Sequence, residues 1–266
     1  MFQDIEIQKL RIMLNMDLSD VVVWLQGYLM GTLEVNSPFP EIYRPQVGGR
    51  GDDCHPGTYI GGLPFCKRRV LVLSMTLINR LGDACLVLLL RLPIRKEDVG
   101  RLGDYVYNLL LILQRAPASD PVEACKFISV MRHDPRFAFE VEGRSIQIPI
   151  VQALIRQVEA CCQKERLSFL WSRVEEDLHD RGESGLLAYR LLTALDPAVA
   201  ASRLAEICNR HPEVKGQAIF AFVVADNFSK DQSLWKVVLE QAASLEQGEQ
   251  FVQLLEEEAE KCRRRR

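Results

Sequence analysis

The fold is indicated first by the stretch Ala84-Cys85-Leu86-Val87-Leu88-Leu89-Leu90-Arg91-Leu92. Its centre, from Leu86 to Leu90, is apolar on every face of a helix, which is typical of a central and fully buried helix. Pro93 ends this helix because proline lacks the backbone donor that a further turn needs. No apolar run in the sequence reaches the roughly 18 residues of a membrane span. We therefore expect a helical globular fold that can meet a membrane only at its surface.

Helical patterns also precede this stretch, at Ile5–Leu14, Leu18–Leu33 and Cys66–Leu81. Asp17 is placed to cap the second of them. Residues 36–64 are rich in proline, glycine and aspartate, and they follow neither a helical nor a strand period. We interpret them as a long loop. The dipeptide Gly82-Asp83 predicts a break between the helix that ends at Leu81 and the apolar helix that follows.

Downstream of Pro93, a helix is predicted over Lys96–Arg115, with Tyr105, Leu109, Ile112 and Leu113 on one stripe. Asp120-Pro121 opens the next helix, with the aspartate as the cap and the proline at the first helical position. From residue 149 onward the pattern is helical to the end. The expected helices are Val151–Glu165, Leu167–Asp180, Glu183–Leu195, Pro197–Arg210, Glu213–Val224, Lys230–Ala243 and Glu246–Lys261.

Residues 137–150 differ from the rest because apolar and polar residues alternate on both sides of Glu142-Gly143-Arg144. A period of two around a glycine turn is typical of a β-hairpin. The alternative is an irregular loop before the next helix. Pro149 excludes the second arm from a central strand position. The predicted fold class is therefore all-α, as a two-lobed multi-helix bundle, with one short β-hairpin near residues 137–150 as the possible exception.

The charge distribution favours two domains, residues 1–165 and 166–266. The formal net charge of the chain is -3, so affinity for nucleic acid would have to come from a local patch. The first part is balanced in charge, whereas the second part is acidic up to its last residues. The run Arg263, Arg264, Arg265 and Arg266 then forms a basic tail.

The sequence carries no signature of catalysis. Cys54-His55 with Cys66, and Cys161-Cys162 with His179, lack the paired spacing of zinc sites, so we expect no metal. No glycine pattern follows a strand to hold phosphates, so no nucleotide or other cofactor is expected. No secretory signal pattern precedes the eight cysteines, which we interpret as buried free thiols in a reducing compartment.

The basic residues are the stronger functional signal. Lys67, Arg68 and Arg69 open a helix, where the helix dipole normally favours acidic residues, so a partner could account for their presence. A second basic set surrounds Pro93 and consists of Arg91, Arg95, Lys96 and Arg101. If the two helices that carry these sets packed antiparallel, the sets would merge into one patch. The alternative is an ordinary solvated charged face.

Two motifs resemble those of orthomyxovirus matrix proteins of the influenza type. Asp17-Leu18 followed by Trp24-Leu25 is similar to an early helix of that family. Gly62-Leu63 followed by Lys67-Arg68-Arg69 is similar to a later helix start, and Gly82-Asp83 falls where the family has an interhelical turn. Within this family, the chain resembles the matrix protein of a Thogoto-like virus. The Cys-x-x-Cys and His-x-x-His stretch of influenza is missing, so no zinc is implied.

The resemblance implies a structural protein rather than an enzyme, found in the virion at the inner face of the envelope. In the host cell it implies the cytoplasm, the inner leaflet of the plasma membrane and the nucleus. Its implied partners are further copies of itself, acidic phospholipid and viral ribonucleoprotein or RNA, with no small-molecule substrate. The resemblance places the basic role on Lys67, Arg68 and Arg69; the patch argument adds Arg91, Arg95, Lys96 and Arg101. We assign oligomerisation to the tail Arg263–Arg266, for which a well-capped helix end is the alternative.

Two other functional classes are also compatible with the sequence. One is a cytosolic helical adaptor or scaffold that binds a partner protein and is indifferent to lipid. The other is an enzyme with a site in the 36–64 loop, around Asp52, Asp53, Cys54 and His55.

Overall fold

The structure is a computed structural model that describes residues 17–29, 68–179 and 183–264. Several features expected from the sequence lie outside these ranges. They are the helix Ile5–Leu14, the end of the helix Leu18–Leu33, the loop 36–64 with Cys54 and His55, Lys67, and the last two arginines of the tail.

The described residues form thirteen α-helices and one two-stranded antiparallel sheet, so the predicted all-α class with a short hairpin is confirmed. The chain divides into two compact units, of which the first ends at Cys162 and the second begins at Gln163. The cysteines in the described ranges are all free, and each of them except Cys162 is buried. None of the described helices is both long enough and apolar enough to cross a bilayer.

The first unit contains α1 (Leu18–Leu29), α2 (Arg68–Leu90), α3 (Lys96–Arg101), α4 (Gly103–Leu113), α5 (Pro121–His133) and α6 (Gln147–Ala160), with the strands β1 (Glu140–Val141) and β2 (Arg144–Ser145) before α6. Helix α2 packs against α1 and α4, and α6 packs against α4 and α5. Of the predicted stripe on α4, Leu109, Ile112 and Leu113 are buried, whereas Tyr105 is only partly buried. The Asp120 side chain accepts hydrogen bonds from the amides of Val122 and Glu123, as expected for the cap of α5.

The predicted break at Gly82-Asp83 is wrong, because α2 runs without interruption from Arg68 to Leu90. The glycine instead permits a close approach of backbone. A Cβ atom at Gly82 would lie 2.7 Å from the carbonyl oxygen of Ala116 and 2.8 Å from that of Pro117. The aspartate binds the same segment, since its carboxylate accepts hydrogen bonds from the amide and the hydroxyl of Ser119. The part of the family resemblance that placed an interhelical turn here therefore does not hold.

A buried glutamine completes this contact region. The side-chain oxygen of Gln157 accepts a hydrogen bond of 2.8 Å from the amide of Ala118. Its side-chain nitrogen donates to the carbonyls of Leu113 and Ala116, at 3.1 and 3.3 Å. One side chain of α6 thus forms hydrogen bonds with three backbone groups where the chain leaves α4. Buried backbone groups outside secondary structure need such partners.

The helix predicted over Lys96–Arg115 is divided into α3 and α4 by Leu102, which has a non-helical backbone conformation. Gly103 then begins α4 with the hairpin close beside it. A Cβ atom at Gly103 would lie 3.4 Å from the side chains of Phe139 and Val141. The break therefore fits α4 against the hairpin, a contact that the local sequence does not reveal.

The hairpin is shorter than the alternating pattern suggests. Glu140 pairs with Ser145 and Val141 pairs with Arg144. The two turn residues, Glu142 and Gly143, both have positive φ, at 51° and 73°, as in the type I′ turns that suit two-residue hairpins. The second arm ends at Ser145 because Gln147 begins α6, and Pro149 lies in the first turn of that helix, where proline is tolerated.

The second unit contains α7 (Phe169–His179), α8 (Glu183–Leu195), α9 (Pro197–Ser202), α10 (Leu204–Arg210), α11 (Ala218–Phe228), α12 (Gln232–Ala243) and α13 (Gly248–Arg264). The expected single helix Pro197–Arg210 is wrong, because it is divided at Arg203. The guanidinium of Arg203 binds Glu175 of α7 at 2.5 Å and Glu206 of α10 at 2.8 Å. Helix α11 begins only at Ala218, after a 3₁₀ turn over Pro212–Gly216.

Candidate functional site

The described residues of the first basic set, Arg68 and Arg69, begin α2, whereas the second set follows the other end of that helix. Arg91 directly follows Leu90, the last residue of α2. At 1.5 Å per residue, the helix separates Arg69 from Arg91 by about 33 Å. The sets therefore do not merge by antiparallel packing of two helices, because the predicted break that would have allowed it is absent. The set around Pro93 is the one whose side chains the structure describes.

Residues 90–96, here called the basic turn, join α2 to α3 and expose two large apolar side chains. Ile94 is 87% exposed and Leu90 is 65% exposed. The expectation that the apolar helix is fully buried is thus wrong, because Leu90 is exposed and Leu86 and Val87 are only partly buried. The apolar run ends at the surface, where α2 stops at Leu90 and a non-helical segment leads to α3. Exposed apolar side chains are informative when they cluster, because water disfavours them.

The same short segment carries three exposed cations: Arg91, Arg95 and Lys96. Within the described part of the chain, none of them forms an ion pair with a carboxylate. The adjacent acidic residues Glu97 and Asp98 occupy the first turn of α3, where the helix dipole stabilises negative charge. The basic turn therefore presents apolar and cationic side chains together on one short segment.

The basic turn is held in place from two sides. Leu92 is buried at its centre. On the other side, Nη1 of Arg136 donates a hydrogen bond of 3.3 Å to the carbonyl oxygen of Pro93. Arg136 is itself positioned by Asp134, whose carboxylate lies 2.7 Å from Nη2. That hydrogen bond lowers the pKa of the Asp134 carboxyl below its ordinary value. The exposed side chains are thus carried on an anchored backbone.

A cavity of about 410 Å³ lies next to the basic turn. Its lining residues come from α1, from the end of α2 and from α3 and α4, and they are Gln26, Leu29, Leu88, Arg91, Leu92, Pro93, Arg101, Leu102, Asp104 and Tyr105. The structure therefore brings together Arg91 and Arg101 of the predicted basic set. Arg95 and Lys96 are exposed outside this lining.

Tyr105 contributes a phenol group to the cavity wall. Burial, and to a smaller extent the proximity of Cys85, raises the pKa of Tyr105 to about 12, although the positive charge of Arg91 acts in the opposite direction. The phenol therefore remains protonated at neutral pH and can donate a hydrogen bond. The sequence predicts only that Tyr105 shares a stripe with three aliphatic residues, and its position in the cavity wall is seen only in the structure.

The basic tail has ion-pair partners within its own helix. Arg263 lies 3.3 Å and Arg264 lies 3.1 Å from the carboxylate of Glu260. The ammonium group of Lys261 pairs at 2.5 Å with the buried carboxylate of Glu258. These contacts fit the alternative of a well-capped helix end. Cations in the last turn also interact favourably with the negative end of the helix dipole.

No metal site emerges from the ranges that the structure describes, since they contain no group of three His, Cys, Asp or Glu side chains placed around a common point. The chain matches no protein-family model, and no curated protein and no solved structure is significantly similar to it. The basic turn and the cavity beside it are therefore the features that bear on function.

Proposed function

We propose that the protein is a structural protein of the matrix type, which binds the surface of an acidic membrane through the basic turn and assembles there into a layer. The observation that carries this proposal is the pairing of exposed Ile94 and Leu90 with the cations Arg91, Arg95 and Lys96. Proteins that lie on a membrane combine apolar insertion with electrostatic attraction to anionic lipid. A solvated charged face would not need the two exposed apolar side chains.

The expected strength of this contact supports assembly as part of the proposal. Each basic side chain near an anionic surface contributes about 1 kcal/mol, and burying one large aliphatic side chain contributes about 1.5–3 kcal/mol. One copy would then bind with a dissociation constant between millimolar and micromolar. Several copies in one layer would bind far more tightly, because each further contact is made at high effective concentration.

The sequence resemblance to orthomyxovirus matrix proteins extends the proposal. It adds contact with viral ribonucleoprotein and a place at the inner face of a viral envelope. The remaining motifs behind it are Asp17-Leu18 with Trp24-Leu25, and Gly62-Leu63 with the basic triplet Lys67 to Arg69. The proposed contact at the basic turn does not include Arg68 and Arg69, because these residues begin α2 and the basic turn follows its other end.

The test is co-sedimentation of the full chain with vesicles of phosphatidylserine and phosphatidylcholine. We expect Ile94→Gln and the double variant Arg95→Gln/Lys96→Gln each to lower the bound fraction about tenfold, since each removes roughly 1.5–2 kcal/mol of interaction. Ile219→Gln is the matched apolar control, because Ile219 is 73% exposed in the second unit. Arg144→Gln/Arg173→Gln is the charge control, because both residues are exposed.

Equal loss of binding in the turn variants and the control variants would contradict the assignment of the contact to residues 90–96. A monomer that stays in the supernatant with every vesicle composition would contradict the membrane proposal altogether. The cytosolic adaptor would then become the better description.

A further inference from the structure

The cavity beside the basic turn has an amphipathic lining. Its floor is apolar and buried, since Leu29, Leu88 and Leu92 are each less than a tenth exposed. Its mouth is charged, because Arg91, Arg101 and Asp104 are exposed. A volume of about 410 Å³ falls within the range of small-molecule sites in proteins. An apolar floor below a charged mouth fits a molecule with a hydrocarbon part and a charged head.

The charge of the mouth selects an anionic head. The lining contains two guanidinium groups and one carboxylate, and in the described part of the chain neither Arg91 nor Arg101 is ion-paired. Guanidinium groups bind phosphate oxygens through directed, charge-assisted hydrogen bonds. The carboxylate of Asp104 repels an anion, so it lowers the affinity of the cavity for an anionic head.

We propose that this cavity binds one anionic phospholipid molecule, with its phosphate between Arg91 and Arg101 and the start of its hydrocarbon part against Leu29, Leu88 and Leu92. The protonated phenol of Tyr105 is a further donor in the same wall. This inference deepens the proposed function and rests on it, because the lipid is a component of the membrane that the basic turn would meet. The two differ in kind: the basic turn contacts a surface, whereas the cavity holds a single molecule.

The experiment is calorimetric titration of the full chain with dihexanoyl phosphatidylglycerol below its micelle concentration, so that no membrane surface is present. We expect Arg101→Gln to weaken binding about tenfold or more, as loss of a charge-assisted hydrogen bond does. Asp104→Asn should strengthen binding severalfold, because it removes negative charge from the mouth. This gain separates the proposal from simple damage to the fold. Arg144→Gln, an exposed arginine on the hairpin, should change the affinity less than about twofold.

Inorganic phosphate is the second probe, since it carries the anion without the hydrocarbon. We expect it to bind at least about a hundredfold more weakly, because it leaves the apolar floor empty. Equal affinity for phosphate and the short-chain lipid would overturn the proposal in favour of a simple anion site. Equal effects of Arg101→Gln and Arg144→Gln would overturn it as well.

The variant Ile94→Gln distinguishes this inference from the proposed function. Ile94 does not line the cavity, so the variant should bind soluble lipid normally while it binds vesicles poorly. If vesicle binding depends on Ile94 but soluble lipid does not bind, only the cavity proposal fails. If soluble lipid binds with the expected variant effects but Ile94→Gln leaves vesicle binding unchanged, only the surface contact at the basic turn fails.

Discussion

Gly82 and Gly100 are both helical glycines of the first unit, yet their surroundings give them opposite roles. A Cβ atom at Gly82 would lie within 3 Å of backbone carbonyl atoms, whereas one at Gly100 would meet nothing within 4 Å. At the first position glycine is required by the close approach of another segment. At the second position it only lowers the helix propensity of α3, since glycine is a poor helix former.

The pair gives a matched test at the residue scale. We expect Gly82→Ala to lower the free energy of unfolding by about 1–3 kcal/mol, the usual cost of overpacking, even though alanine favours helix. Gly100→Ala should leave the free energy unchanged or raise it by up to about 1 kcal/mol. Urea denaturation followed by circular dichroism measures both. A stabilised Gly82→Ala variant would mean that the segment at Ala116 and Pro117 is not packed against α2 as described.

At the scale of elements, the basic turn depends on a clamp from outside its own sequence. Asp134 positions Arg136, and Arg136 holds the carbonyl of Pro93. The ion pair is only partly exposed, at 32% and 21% for the two side chains. The short connection between α2 and α3 is therefore held by Arg136, which lies beyond α5 in the chain.

The clamp should make stability depend on pH in a defined window. Hydrogen bonding to Arg136 lowers the pKa of Asp134 below its ordinary value of 3.8, so its contribution is complete above that value and is lost as pH falls through the lowered pKa. We expect Asp134→Asn to lower the free energy of unfolding by about 1 kcal/mol near neutral pH. The difference from wild type should shrink only below pH 3.8. Urea titrations at several pH values measure it.

The control for this pH series is Glu140→Gln, which removes an exposed carboxylate from β1. It should leave the free energy of unfolding within about 0.5 kcal/mol of wild type. A difference between Asp134→Asn and wild type that stays constant from neutral pH to well below pH 3.8 would contradict the ionised clamp.

At the scale of the whole molecule, the net charge of -3 makes any attraction to an acidic surface local. The basic turn must act against the acidic remainder of the chain, which an anionic membrane repels. Screening by salt acts on charges near a surface over a Debye length of about 8–10 Å at 0.1–0.15 M salt. The cations of the basic turn lie closest to the proposed contact. Added salt should therefore weaken their attraction to the membrane more than it weakens the repulsion of the acidic remainder.

We therefore expect vesicle binding by the wild type to fall about tenfold between roughly 0.05 and 0.3 M salt. The double variant Arg95→Gln/Lys96→Gln should bind weakly and lose most of this salt dependence, because the remaining attraction comes mainly from the apolar side chains. Co-sedimentation across a salt series measures both proteins. An identical salt slope for the two would mean that other cations carry the electrostatic contact.

Several local features could be predicted from the sequence because their causes lie within a few residues. The helical period, the Asp-Pro cap at Asp120, and the alternation with Glu142-Gly143 that predicts the hairpin all belong to this group. The boundaries of α8 were also predicted, since its pattern begins and ends with clear changes in polarity. Each of these features depends on backbone propensity or on a nearby side chain, which the local sequence specifies.

By itself, then, the sequence determined a helical protein with a short hairpin and a second basic set around Pro93. Only the tertiary structure decided that α2 continues through Gly82, that Leu90 is exposed, and that Arg91 and Arg101 share a cavity. The physical reason is the same in each case. These outcomes depend on which distant segment packs beside the residue, and packing between elements far apart in the chain is not encoded in any local period.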